Sequence, residues 1–172
     1  MDTENSVDDI AGYFERIIEF DHPELVISSS KKQVPNSEIV LKILQKWDSD
    51  ESGVVWDASL MTAKYLELQA AKNESVIYHN RVVIELGSGT GFLGLWLAAM
   101  GANVLLTDLP KNLDLIKRNL SLNQNLLFGK VQIAPFDWLD KSQFKTNLFL
   151  NWKDLDQVDL FIVSDCIYYN EV

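Results

Sequence analysis

The stretch at residues 82–108, VVIELGSGTGFLGLWLAAMGANVLLTD, constrains the fold more than any other part of the chain. It begins with a run of β-branched residues, which is typical of a strand buried on both faces. Gly87, Gly89 and Gly91 follow, and apolar residues then recur at helical spacing until Gly101. A second apolar run ends at Asp108. The order strand, glycine turn, helix, strand predicts a βαβ unit of an α/β fold.

The glycines and Asp108 predict a site for a nucleoside-containing cofactor. Glycine lets the backbone approach a ligand closely, and N–H groups at the next helix start suit an electron-rich ligand atom. The Asp108 carboxylate, at the tip of the second strand, can accept both hydroxyls of a ribose. Residues 89–94 also match the dinucleotide pattern G-x-G-x-x-G, so a nicotinamide-dependent oxidoreductase is an alternative. Glu85, ahead of the glycines, argues against that alternative.

Four separated motifs resemble those of the seven-strand S-adenosylmethionine-dependent protein-lysine methyltransferases, the family of the valosin-containing-protein lysine methyltransferase. They are GVVWDASLMTAKYLE at 53–67, ELGSGTG at 85–91, FDW at 136–138, and DCIYYNE at 165–171, which holds a D-x-x-Y pattern. The resemblance covers residues 39–172. It implies a Rossmann-like, doubly wound fold of three layers, with S-adenosylmethionine as the cofactor. It also implies methylation of a lysine in a protein substrate, such as the AAA ATPase valosin-containing protein or a heat-shock chaperone.

The resemblance assigns roles to individual residues. Asp165 would hold the incoming lysine ammonium, and Tyr168 would offer its ring face or hydroxyl to the same group. The implied cofactor-binding set comprises Trp56, Glu85, Gly87, Ser88, Gly89, Asp108, Trp138 and Ser164. Trp138 belongs to the adenine end of that set. Cys166 is expected to be a small buried hydrophobe, and no grouping of Cys, His and carboxylates predicts a metal site.

The predicted strands by themselves, independently of the family resemblance, place the candidate residues at one edge of the sheet. Strands are predicted at 82–84, 104–108, 130–136 and 158–164, and the candidate residues lie at or after their carboxyl ends. Ligands of open α/β sheets bind outside those ends, at one edge of the sheet. The predicted strand order is 3-2-1-4, which leaves the last strand as an open apolar edge. A seven-strand enzyme needs three further strands, so a truncated, non-catalytic remnant that binds a partner is the third hypothesis.

Composition narrows the choice of partners. The net charge of the 172 residues is −10, whereas binding to nucleic-acid phosphates needs a basic surface, so no nucleic-acid partner is expected. An acidic surface suits a substrate segment that carries lysine. No apolar run reaches the roughly 18–20 residues of a membrane span, so no membrane partner is expected either. With one cysteine, Cys166, and no signal peptide, the expected location is the cytoplasm.

The first part of the chain predicts an extension rather than part of the main sheet. Residues 1–38 are interpreted as an N-terminal extension, with an amphipathic helix over 7–20 and then a loop. Residues 39–172 are interpreted as the methyltransferase domain, in its cofactor-binding half. Alternating apolar residues over 39–47, a polar turn, and a second strand at 54–56 predict a β-hairpin ahead of the main sheet.

Overall fold

A computed structural model describes residues 12–20, 39–47, 51–72, 78–137, 140 and 157–166. The elements are β1 (Phe14–Phe20), β2 (Ile39–Gln45), α1 (Asp57–Lys72), β3 (Val82–Leu86), α2 (Phe92–Ala99), β4 (Asn103–Asp108), α3 (Leu113–Asn123), β5 (Val131–Pro135) and β6 (Leu160–Val163). Short 3-10 turns lie at Glu51–Gly53, Pro110–Asn112 and Gln124–Leu126. The chain is therefore of the α/β class, with helices between parallel strands.

The main sheet is parallel and has the strand order β5-β4-β3-β6. This confirms the predicted order 3-2-1-4 and the Rossmann-like arrangement. Leu86 of β3 lies opposite Thr107 of β4 and Val163 of β6, so the three strands end at the same level. Gly87 and Ser164, which follow β3 and β6, and Asp108, the last residue of β4, consequently lie along one edge of the sheet.

Helix α2 has no exposed residue, because other elements cover it on every side. All of its residues are buried, and it contacts α1, α3, β2 and β4. Trp96 and Phe92 are the largest of its fully buried side chains. A helix that is apolar all round is typical of a core element rather than a surface helix. The glycine turn that precedes α2 is thus attached to a fully buried element.

The helix predicted over residues 7–20 is wrong where the structure describes it. Residues Phe14–Phe20 form strand β1, whereas residues 1–11 and the predicted loop at 21–38 lie outside the described part. Ile18 is 8% exposed and its neighbour Ile17 is 55% exposed, so side chains alternate between the two faces as a strand requires. The spacing of apolar residues in FERIIEF is compatible with both a helix and a strand. Pairing with β2 selects the strand.

The predicted hairpin has the wrong second strand. Strand β2 pairs antiparallel with β1, from Phe14 opposite Gln45 to Phe20 opposite Ile39. Residues 54–56 follow a 3-10 turn and form an irregular segment instead of a strand. The small sheet packs its inner side chains, Ile18, Leu41 and Ile43, into the same core as α2. The division predicted between residues 38 and 39 stays a prediction.

Strand β6 is an edge of the main sheet as the structure describes it. Its Phe161 and Val163 side chains are 58% and 49% exposed. The predicted open apolar edge is thus present. Within the described ranges, no helix is long and apolar enough to cross a bilayer.

Candidate functional site

A cavity of about 260 Å³ opens at the carboxyl edge of the parallel sheet. It is lined by every predicted site residue that the structure describes: Trp56, Glu85, Gly87, Ser88, Gly89, Asp108, Ser164 and Asp165. Trp138 and Tyr168 lie outside the described residues, so their predicted roles stay predictions. The predicted groups come from four separate parts of the chain, and the fold brings them to one site.

The glycine turn forms the floor of the cavity. Gly89 has a φ of 54°, in the left-handed region that favours glycine, and a Cβ there would lie 3.2 Å from the Ser52 carbonyl oxygen. The Gly91 N–H donates to the Ser88 carbonyl over 2.7 Å, which closes the turn before α2 begins at Phe92. The sequence therefore needs glycine here for two reasons, the backbone angle and the close approach of another segment.

Ser88 and Thr107 join the ends of β3 and β4. The Ser88 N–H donates to the Thr107 carbonyl (2.9 Å), and the Thr107 N–H donates to Ser88 Oγ (3.1 Å). Thr107 Oγ1 also donates to the Glu85 carbonyl over 2.7 Å. Buried backbone groups at the strand ends are thus paired. These bonds fix the positions from which Glu85 and Asp108 reach the cavity.

Glu85 is a buried carboxyl group at the base of the cavity. Its Oε2 accepts a hydrogen bond from the Gly94 N–H over 3.0 Å. Burial is the main reason that the pKa of Glu85 rises to about 8, and the nearby Asp108 charge raises it further. The Gly94 N–H and Ser88 act in the opposite direction. At neutral pH Glu85 is mostly a neutral acid, which can donate a hydrogen bond as well as accept one.

Asp108 is buried and has several donors from the protein. Its Oδ2 accepts from the Gly89 N–H (2.6 Å), while Oδ1 accepts from the Leu109 N–H (2.7 Å) and from Asn112 Nδ2 (2.6 Å). The carboxylate is therefore held rigidly across the glycine turn. Asn112, the last residue of the 3-10 turn Pro110–Asn112, is a contact that the sequence did not indicate.

A second segment, residues 51–56, forms another wall of the cavity and approaches the glycine turn at Ser52; we call it the front wall. The Gly53 carbonyl accepts from the Lys46 N–H (2.7 Å), and the Val55 N–H donates to Gln45 Oε1 (2.8 Å). The half-exposed Trp56 donates from Nε1 to the Glu51 carbonyl over 2.7 Å. The small sheet thus anchors the front wall, and Gln45 is a second functional residue that local sequence patterns missed.

The end of β6 contributes the third side of the cavity. Ser164 Oγ is buried and has no hydrogen-bond partner among the described residues. Asp165 is exposed and adopts a left-handed φ of 54°, a conformation that aspartate tolerates better than most residues. The Cys166 thiol donates to the Leu86 carbonyl over 3.4 Å, and burial raises its pKa to about 11. Cys166 is partly buried, and its raised pKa keeps the sulfur a thiol at neutral pH; the packing role predicted for it stays a prediction.

Negative charge dominates the lining of the cavity. Its described residues include four carboxylates, those of Glu51, Asp108, Asp137 and Asp165, together with the neutral acid of Glu85 and one ammonium group, that of Lys111. No set of His, Cys, Asp and Glu side chains in the described ranges is arranged to hold a metal ion. The cavity therefore favours a ligand that carries positive charge and disfavours one rich in phosphate.

The chain is similar to several known proteins. Protein N-lysine methyltransferase METTL21A of Xenopus tropicalis is 32% identical over 84% of this chain and 60% of its own length. EEF1A lysine methyltransferase 3 of the same organism is 37% identical over 52% of this chain and 38% of its own length. A solved S-adenosylmethionine-dependent methyltransferase from Agrobacterium tumefaciens has a TM-score of 0.42 at 18% identity, covering 53% of this chain and 28% of its own.

The chain spans less than two thirds of the length of both curated relatives. A family model described as lysine methyltransferase matches residues 35–172, which is most of the chain. The family predicted from the four motifs is thereby confirmed, although the narrower similarity to the valosin-containing-protein enzyme stays a prediction. This chain belongs to the lysine methyltransferase family.

Proposed function

We propose that this chain binds S-adenosylmethionine and forms the cofactor-binding half of a protein-lysine N-methyltransferase. The observation that carries the proposal is the excess of carboxyl groups around the cavity. S-adenosylmethionine is a sulfonium cation, whereas a nicotinamide dinucleotide carries a negatively charged diphosphate. Electrostatic complementarity therefore favours the sulfonium cofactor over the dinucleotide. Membership of the lysine methyltransferase family favours it as well.

The residues that line the cavity offer partners for the polar groups of this cofactor. Asp108 Oδ2 accepts one described hydrogen bond, from Gly89, and has room for a ribose hydroxyl. The buried Ser164 Oγ has no described partner, so a cofactor group would satisfy it. The Trp56 ring borders the cavity and can pack against the cofactor. The predicted contact of Trp138 with the adenine completes the proposed set.

When bound, the cofactor supplies an electrophilic methyl group to an amine nucleophile. Lysine has a pKa near 10.4, so removing its proton at pH 7 costs roughly 4–5 kcal/mol. Exclusion of water beside a cationic group lowers that pKa, so that no strong base is required. Asp165 lies exposed at the cavity and can hold the incoming ammonium in position. Tyr168 is proposed to orient the same group.

The substrate is proposed to be a protein that presents a lysine side chain. The resemblance suggests valosin-containing protein or a heat-shock chaperone, and one relative is named for methylation of EEF1A. The net charge of −10 suits a lysine-bearing segment. The proposed compartment is the cytoplasm, because the chain has a single cysteine and therefore no internal disulfide.

Calorimetric titration of the 172-residue chain with S-adenosylmethionine tests the proposal. We expect binding to the unmodified chain and loss of binding in Asp108→Ala, which removes the acceptor fixed across the glycine turn. Asp114→Ala is the matched control, because it removes an exposed carboxylate on α3, outside the cavity lining. It should bind like the unmodified chain. Circular dichroism establishes that each variant is folded.

Two results would contradict the proposal. A folded chain that does not bind S-adenosylmethionine lacks a competent cofactor site of its own. A chain that binds NADH instead is an oxidoreductase relative. If the cofactor binds, transfer of a labelled methyl group to valosin-containing protein, a heat-shock chaperone and EEF1A tests the substrate, with Asp165→Asn as the control for the proposed lysine site.

A further inference from the structure

Two asparagines on one face of α3 are buried completely and face the edge of β2. Asn119 and Asn123 are both 0% exposed. They lie four residues apart, so they are neighbours on the helix surface. Asparagine is uncommon in helix interiors because its amide competes for backbone hydrogen bonds. A buried pair of this kind therefore calls for partners, and the structure supplies them.

Each amide pairs with the backbone of one β2 residue as a neighbouring strand would. Asn119 Oδ1 accepts from the Leu44 N–H (2.7 Å), and its Nδ2 donates to the Leu44 carbonyl (3.0 Å). Asn123 Oδ1 accepts from the Lys42 N–H (3.0 Å), and its Nδ2 donates to the Lys42 carbonyl (2.8 Å). Asn119 and Asn123, four residues apart on the helix, are separated by about 6 Å along its axis. Lys42 and Leu44, two residues apart on the strand, are separated by about 6.8 Å, so the two spacings match.

The second bond of each Nδ2 distinguishes the two asparagines. Asn119 Nδ2 also donates to the Thr90 carbonyl, in the glycine turn, over 2.9 Å. Asn123 Nδ2 donates instead to the Asn119 carbonyl within α3, over 2.8 Å. Both residues cover the edge of β2, but only Asn119 connects that edge to the floor of the cavity.

Strand β2 also anchors the front wall of the cavity. Leu44, the partner of Asn119, is followed by Gln45 and Lys46, which hold Val55 and Gly53 of the front wall. Asn119 thus stands between the glycine turn and the strand that anchors the front wall. The bonds of Asn119 and of Gln45 in this path are buried, and buried hydrogen bonds stay strong because water is excluded.

We propose that Asn119 is a positioning residue of the cofactor site, one that fixes the position of the glycine turn relative to β2, the strand that anchors the front wall. This inference rests on the proposed function where it is tested by binding of S-adenosylmethionine. It does not rest on it where it is tested by hydrogen exchange of the unliganded chain. Asn123 provides the matched control, since it makes the same pair of bonds to β2 without the bond to Thr90.

The test compares Asn119→Ala with Asn123→Ala. Both variants lose two bonds to β2, so we expect similar decreases in melting temperature. Only Asn119→Ala should weaken binding of S-adenosylmethionine strongly, by about tenfold, which corresponds to about 1.4 kcal/mol. Asn123→Ala should change the dissociation constant by less than about threefold. Equal changes in the two dissociation constants would overturn the proposal.

Hydrogen exchange provides a readout that needs no cofactor. In the chain without ligand, Asn119→Ala should speed amide exchange across residues 88–93, and Asn123→Ala should leave that segment unchanged. If the unmodified chain binds no S-adenosylmethionine, the proposed function fails, while this exchange comparison still decides the role of Asn119. Identical exchange of the segment in both variants would contradict it.

A third measurement covers the case in which Asn119→Ala does not fold. Asn119→Ser then replaces it, since the shorter hydroxyl does not span the distance to both partners. In the unmodified chain, saturating S-adenosylmethionine should slow exchange of the Leu44 amide more than that of the Lys42 amide, because only Leu44 is linked to the glycine turn. Equal slowing of the two amides would count against the proposal.

Discussion

The parallel sheet and the small antiparallel sheet border the same cavity in different ways. The parallel sheet contributes its strand ends, with Glu85 in the glycine motif and Asp108 at the end of the same 82–108 stretch. The small sheet contributes indirectly, because the Gln45 side chain and the Lys46 backbone hold the front wall in place. The first contribution is local in sequence and the second depends on distant pairings. Substitutions in the parallel sheet should therefore change stability more than substitutions in the small sheet. Four measurements test this expectation.

The largest expected effect is the pH dependence caused by Glu85, in the parallel sheet. Burial raises its pKa from 4.5 to about 8. Between those values the unfolded chain releases the proton and the folded chain keeps it, so stability falls as pH rises. The stability that protonated Glu85 gives to the folded chain is fully present below about pH 4.5 and is lost above about pH 8. At about 1.36 kcal/mol per unit, the loss amounts to roughly 4–5 kcal/mol.

Urea unfolding at about pH 5, 6.5 and 9 checks this expectation. Glu85→Gln keeps an acceptor for the Gly94 N–H and carries no titratable proton, so the decline should disappear. Glu15→Gln, at an exposed position of β1, should retain it. An equal decline in Glu85→Gln would assign the pH dependence to other groups.

The next largest effect is expected at Gly94, where α2 crosses the parallel sheet. A Cβ at this position would collide with Leu106 Cδ2 and would lie 2.7 Å from Glu85 Oε2. Overpacking of this kind destabilises by about 3 kcal/mol, so Gly94→Ala should lower the free energy of unfolding by that amount. Ser121→Ala, on the exposed face of α3, is the control and should change stability little. An unaffected Gly94→Ala would show that the contact between helix and sheet is loose.

A smaller effect is expected at Gln45, in the small sheet. Its Oε1 accepts the Val55 N–H over 2.8 Å at a buried position. Gln45→Leu leaves that donor unpaired and should cost about 1.5 kcal/mol. Gln132→Leu makes the same chemical change at an exposed site of β5 and should stay within about 0.5 kcal/mol. Equal costs in denaturant unfolding would mean that the front wall does not depend on Gln45.

The smallest effect is expected on the outside of the small sheet. The rings of Phe14 and Trp47 stack with centroids 4.9 Å apart, although Trp47 is 77% exposed. Exposed aromatic pairs contribute about 0.5–1.5 kcal/mol, so Trp47→Ala should cost about 1 kcal/mol. A double-mutant cycle with Phe14→Ala should recover most of that value as coupling. Absence of coupling would show that the stack stabilises nothing.

The parallel sheet could be predicted because its determinants are close together in sequence. The run that leads to Glu85, the glycine turn and the run that ends at Asp108 are consecutive, and together they indicate strand, turn, helix and strand. Four motifs then placed the cofactor residues on one edge, where the structure brings all the described ones together. Local patterns were sufficient for this half of the site.

The small sheet could not be predicted in the same way. In FERIIEF the apolar residues suit both a helix and a strand, and the choice depends on β2, which lies beyond residue 38. Gln45 and Asn112 act through partners that no local pattern identifies. Asn119 and Asn123 did leave a signal, since they interrupt the apolar stripe of Leu113, Ile116 and Leu120 on the predicted helix. Polar residues on a buried face indicate a fixed partner.

The complete burial of α2 has a consequence for how this protein is made. A helix without a water-facing side gains almost nothing from forming alone, because its stability comes from the elements packed around it. The excised peptide of residues 82–108 should therefore be largely unstructured by circular dichroism. On the ribosome, the glycine turn emerges well before α3, so it has to wait for α3 to be synthesised before it can adopt its final shape. The ligand pocket can thus form only after α3 and β6 have been synthesised, although its glycine motif precedes both.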